Sequence, residues 1–68
     1  MNDTYRKYAV YDEYGKEAHT VIAHAFSIRD GGALVFTKTH GNSFEIVTVF
    51  VAGYWSRVEL VETVEAVG

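Results

Sequence analysis

The longest run of strand-forming residues in this chain is Phe44 to Ala52, FEIVTVFVA, where β-branched and aromatic side chains follow one another almost without a break. Extended, it points Glu45, Val47, Val49 and Val51 to one side and Phe44, Ile46, Thr48, Phe50 and Ala52 to the other. A strand with one wet face alternates apolar with polar. This one is apolar on both faces, so both need cover, and in so short a chain one cover is expected from a second molecule.

The other segments fall around it. Thr4 to Tyr11 is rich in strand formers and is followed by Asp12-Glu13-Tyr14-Gly15-Lys16, a hairpin turn with Asp at its first position and Gly15 as the left-handed residue of a bulge. That loop sets Asp12 across from Lys16. Tyr5, Tyr8, Ala9 and Tyr11 also fit helical spacing, with Asp3 or Thr4 as cap; the tyrosines and the turn chemistry favour the strand. Glu17 to Ile28 reads as one long strand, bent near Ala23–Ala25, with its even positions as the core face. Asp30-Gly31-Gly32 is a three-residue turn that pairs Ile28 with Leu34 and Phe26 with Phe36. After the strand Ala33–Thr39, Gly41-Asn42 makes a two-residue turn with Gly first, as type II′ requires. It predicts Lys38 opposite Glu45, Phe36 opposite Val47 and Leu34 opposite Val49.

Gly53 interrupts the pattern, Tyr54-Trp55-Ser56 makes a corner, and a fifth strand runs from Arg57 to about Val64. The competing reading there is a short helix with Val58, Val61, Val64 and Val67 in a row; valine is a poor helix former, which favours the strand. The expected fold is all-β: residues 1–68 as a single domain, a five-stranded antiparallel meander that is either a small open barrel or a strongly twisted sheet, SH3-like or Sm-like in size. Its core face collects Tyr8, Val10, Ile22, Phe26, Ile28, Leu34, Phe36, Val47, Val49, Val51 and Leu60. The opposite face keeps Val35, Phe44, Ile46 and Phe50, an apolar patch of the kind that marks a contact site.

Composition sharpens this picture. A 68-residue chain buries only about 60% of its unfolded surface, so it needs a staple or a partner. With no cysteine, disulfides and thiolate metal sites are both excluded. The net charge is −3 with no basic segment, which argues against an electrostatic nucleic-acid binder. No apolar run is long enough for a membrane span and the opening MNDTYRKYAV lacks a secretory core segment, so the expected location is the cytoplasm.

Candidate chemistry is sparse. His19 and His24 point to opposite faces of one strand and His40 sits at a turn, so no metal site is expected; His24 is read as a core histidine with its ring bonded, the other two as surface residues. Ser27, Ser43 and Ser56 lie in no nucleophile motif, and Gly31-Gly32 has no phosphate-loop partner residues. So small a chain also leaves little room for a substrate pocket of a few hundred Å³. The sequence therefore reads as non-enzymatic, with no cofactor. Its aromatic set, Tyr5, Tyr8, Tyr11, Tyr14, Tyr54 and Trp55, suits protein contact better than base stacking, because Arg and Lys do not accompany it.

Two resemblances attach to particular residues. AVYDEYG at 9–15 resembles the opening ALYDY segment of SH3 domains, and GYW at 53–55 is similar to their late Gly-Tyr corner. There is no central Trp-Trp pair and no Pro-Ser-Asn-Tyr segment, so that family's peptide groove is not implied. The run GGALVF, then a turn, then VTVFVAGYWSRVEL resembles short β-proteins of actinobacteria and their phages, in which a Gly-Ala-Leu strand precedes one ending in Gly-x-Trp-x-x-Val-Glu. Gly53, Trp55, Val58 and Glu59 hold those places here. The resemblance implies no activity; it implies a small accessory protein, made by a phage to act on a host component, in whose cytoplasm it would work.

The sequence thus predicts a β-module that works by protein–protein contact and self-associates through Phe44, Ile46 and Phe50, with Tyr54 and Trp55 at or beside the contact surface. The alternative is a small-barrel nucleic-acid binder of Sm-like or OB-like type.

Overall fold

The computed structural model describes the backbone of residues 2–67 and the side chains of residues 4–64. Among these the chain is all-β: β1 (Asn2–Tyr11), β2 (Glu17–Ala23), β3 (Ala25–Ile28), β4 (Leu34–His40), β5 (Ser43–Phe50) and β6 (Arg57–Val67). None of the described residues forms a helix that could cross a membrane.

The expected single meander of five strands is not what forms. Six strands make two three-stranded antiparallel sheets, ordered β2-β1-β6 and β3-β4-β5. Two local events produce the difference. The long strand over Glu17–Ile28 breaks at His24, so its first part pairs with β1 and its second with β4. The last strand then bypasses β5 and returns to β1, pairing with it along nearly its whole length. The corner before β6 steers that return: Ser56 donates its backbone N–H to Tyr11 O at 2.9 Å and its hydroxyl to Asp12 O at 2.6 Å. Both segments with helical alternatives, 4–14 and 57–67, are therefore strand and turn.

Turn chemistry holds where the sequence predicted it. Asp12 N–H donates to Lys16 O and Gly15 N–H to Asp12 O, with Gly15 at φ +83°. The Asp12 carboxylate does not serve an ion pair with Lys16; its Oδ1 accepts from the backbone N–H of Tyr14 and of Lys16, both at 2.9 Å. Gly41 at φ +61° leads the β4–β5 turn, and the register Ile28↔Leu34, Phe26↔Phe36 and Lys38↔Glu45 is as expected.

The core lies between the sheets and is built from Tyr8, Val10, Val21, Ala23, Leu34 and Phe36, with Phe50, Trp55 and Val58 packed on it. Tyr8, Val10, Leu34 and Phe36 were expected there. Others were not, because the period of two is interrupted. In β2, Tyr8↔Val21 and Arg6↔Ala23 put the odd positions inward, leaving Ile22 45% exposed; the phase changes at His24, and beyond it Phe26 and Ile28 share the face of Phe36 and Leu34. Both stay at the rim, although Phe26 meets Tyr8 edge-on at 5.3 Å. In β5, Thr37↔Ile46 is followed by Phe36↔Thr48, so Val47 is the extra residue of a β-bulge. The bulge replaces the expected pairs Phe36–Val47 and Leu34–Val49 with Phe36–Thr48 and Leu34–Phe50. It turns Phe50 into the core and Val49 out of it, and Val47, Val49 and Val51 remain exposed. A further bulge at Val61 leaves Leu60 opposite Tyr8 at the edge of its sheet, exposed instead of buried.

The packing yields a contrast that denaturant unfolding can check. Phe36→Ala should cost about 3–5 kcal/mol, a large part of the roughly 3–10 kcal/mol available to a chain of this length. Ile22→Ala should cost less than about 1 kcal/mol. The reverse ranking in urea would contradict the inward phase of β2.

Candidate functional site

The two outward sheet faces differ in one property, charge. On the β2-β1-β6 sheet the outward row holds Glu17, Tyr11 and Arg57, then Thr20, Ala9 and Glu59, then Ile22, Lys7 and Glu62. Four of these five charges are paired: Arg57 Nε lies 3.0 Å from Glu59 Oε1, Lys7 Nζ lies 4.0 Å from Glu62 Oε1, and the Arg57 guanidinium stands 4.1 Å over the Tyr11 ring. Exposed pairs of this kind add little stability. They do keep this face wetted.

On the β3-β4-β5 sheet the outward positions are Ala25, Thr37 and Ile46, then Ser27, Val35 and Val49, with Thr39 and Phe44 beyond; Val35, expected in the exposed patch, is on the middle strand and is buried, 5% exposed. No charged residue is among them. Between Gly31 and Ser56 the only Asp, Glu, Lys or Arg residues are Lys38 and Glu45. They are cross-strand partners on the inward side, where Lys38 Nζ sits 5.4 Å over the Tyr5 ring of the other sheet. Phe44 is 62% exposed, Ile46 56% and Val49 47%, side by side along β5. β5 is also an edge strand, with one side of its backbone unpaired.

The predicted contact residues are divided by this arrangement. Phe44 and Ile46 share the uncharged outward face. Phe50 does not join them: after the Val47 bulge its ring lies 6.0 Å from Phe36 and 5.1 Å from His19, in the seam between the sheets. Trp55 is half-buried against the core and donates Nε1–H to Gly32 O at 3.0 Å. That bond ties the corner 52–56 to the turn 30–32, where a Cβ on Gly32 would meet Ala52 Cβ at 3.1 Å. Tyr54 is exposed and lines a groove with Val10, Tyr11, His19, Phe50 and Val51. The sequence missed Val49 as an outward residue, because only the bulge puts it there.

That groove, about 570 Å³ and mainly apolar, is larger than the chain's size suggested. A smaller hollow of about 280 Å³ lies between His19–Ile22 and Val47–Phe50. Neither gathers reactive groups. Ser43 donates its hydroxyl to His40 O and Ser56 to Asp12 O, so both hydroxyls are engaged with backbone carbonyls. Among the described residues, no three His, Asp or Glu side chains cluster as metal ligands.

Beside the β4–β5 turn, His40 Nε2 meets Glu45 Oε1 at 2.9 Å. This hydrogen bond, then the positive charge of the protonated imidazole and, less, Lys38, hold the Glu45 carboxyl below its ordinary value of 4.5. The sign follows: a depressed carboxylate stabilises the fold above its ordinary value and loses that contribution as the pH falls below it. His40→Ala should therefore move the Glu45 carboxyl titration upward, read from its side-chain carbon shift by NMR. An unmoved titration would show that His40 is not the cause.

Compared with known proteins, the chain matches no protein-family model, no curated protein and no solved structure.

Proposed function

We propose that this protein is a non-enzymatic β-module that acts through protein–protein contact and self-associates by the outward face of β3-β4-β5, as a small phage accessory protein directed at a host component. The observation that supports the contact reading is the uncharged face itself. Phe44, Ile46 and Val49 form an exposed apolar row on a face that carries no charged side chain, while the outward face of the opposite sheet carries Lys7, Arg57, Glu59 and Glu62. Charge depletion with retained aromatic and aliphatic area distinguishes the centre of an interface from ordinary surface.

A second copy suits this face because like meets like without opposing charges. Three strands about 4.8 Å apart and some seven residues long give a flat area of roughly 300 Å². That is less than the ~800 Å² per partner of a standard interface, which places self-association in the weak class. The nucleic-acid reading has less support, since Lys7 and Arg57 are already paired with Glu62 and Glu59.

Sedimentation velocity over roughly 10–500 μM tests this proposal, since a weak homodimer dissociates within that range. The wild-type mass should rise with concentration, Ile46→Glu should remain a monomer, and Val61→Glu on the other sheet should behave as wild type. A wild type that stays monomeric throughout refutes self-association. Salt-sensitive retention on single-stranded DNA or RNA would favour the nucleic-acid reading instead.

A further inference from the structure

The groove beside Tyr54 lies between the β1–β2 hairpin and the end of β5, and at about 570 Å³ it has the size of a small-molecule site. Val10 and Phe50 are its least exposed apolar members, and Val51 extends the apolar lining toward the corner. Two further rings, Tyr11 and Tyr54, line it as well. The Arg57 guanidinium already covers one face of Tyr11 at 4.1 Å, so Phe50 and Tyr54 are the rings left to a ligand.

Charge decides which ligand fits. Among the lining residues Asp12 is the only Asp, Glu, Lys or Arg, and it is half-buried. Its Oδ1 accepts from the amides of Tyr14 and Lys16, which hold the carboxylate to the backbone of the turn. Among the described residues no ion pair reaches it. The same hairpin adds Glu13 and Glu17 against Lys16, the stretch 49–56 carries no charge, and Arg57 is paired with Glu59. An anion is repelled by such a groove, and a neutral apolar molecule leaves the carboxylate unanswered. A cation with an apolar body satisfies both parts, and the negative faces of the aromatic rings add to its attraction.

We infer that the groove binds a small organic cation, an aryl- or alkylammonium, with its charge at Asp12 and its body against Phe50, Val51 and Tyr54. This goes beyond the contact reading and does not rest on it; of the outward row of β5, only Val49 borders the groove.

The test is titration of benzyltrimethylammonium into the full chain at pH 8 and low salt, followed by amide NMR shifts. Saturable shifts should centre on Asp12, His19 and residues 50–54, with a Kd on the order of 1 mM. Phenylacetate, an aryl probe of opposite charge, should bind at least ten-fold more weakly. Asp12→Asn keeps an Oδ1 for the two turn amides and removes the charge, and it should weaken the cation at least about three-fold. Tyr54→Ala, which removes an exposed ring, should weaken it too. If Asp12→Asn does not fold, Tyr54→Ala and the comparison of the two probes decide. The inference is overturned by equal affinity for the two probes, by shifts that do not saturate, or by an undiminished affinity in Asp12→Asn. Benzyl alcohol binding as tightly as the cation would show an apolar site without charge preference and overturn it equally. Ile46→Glu, the variant made for the contact face, should bind the cation as the wild type does, so the two readings fail separately. Shifts of the groove amides on diluting Ile46→Glu without probe would place a second copy in the groove and exclude the ligand.

Discussion

Everything in this fold depends on keeping apolar side chains inward while one short chain serves two sheets. A strand alternates its faces strictly, so one residue out of step reverses which side chains face the core beyond it. Here the phase is changed at His24, where odd residues stop facing inward and even residues start. It is changed again at Val47, where one extra residue brings Phe50 onto Phe36 and Leu34. The core of Tyr8, Val10, Val21, Leu34 and Phe36 is small and closes only because both corrections are made.

The same constraint separates charge from apolar surface. Lys38 and Glu45 share the phase of Phe36, and Lys38 reaches the Tyr5 ring of the other sheet. The outward side of the sheet is then left with threonine, serine, valine, isoleucine and phenylalanine. On the other sheet, β6 brings Arg57, Glu59 and Glu62 alongside Lys7 and Tyr11, where they pair. The two faces come from one chain under one rule. They differ because charged residues are nearly absent between Gly31 and Ser56.

Much of this was legible in the sequence, and what was not has a common cause. Strand composition, the turns at Asp12–Lys16, Asp30–Gly32 and Gly41–Asn42, the bend near Ala23–Ala25 and the pairs Phe26–Phe36, Ile28–Leu34 and Lys38–Glu45 follow from local chemistry, and local chemistry is what a sequence displays. The misassigned residues, Ile22, Val47, Val49, Val51, Leu60 and Phe50, all lie where a bulge, a crossover or a sheet edge overrides alternation. Valine and isoleucine fit either face of a pleat, so nothing in their chemistry marks the slip. The return of β6 to β1 was hidden too, because Ser56 anchors it to carbonyls distant in sequence. Of the candidate site, Phe44 and Ile46 were visible, and the uncharged stretch that frames them was a signal the strand-by-strand reading passed over.

The kink at Val47 has one more consequence. A long, proline-free apolar strand at a sheet margin is an open invitation to endless strand addition, the route to fibres. With one residue out of step halfway along, β5 cannot offer an incoming chain a straight run of evenly spaced donors and acceptors. The irregularity that fills the core thus also blunts the margin.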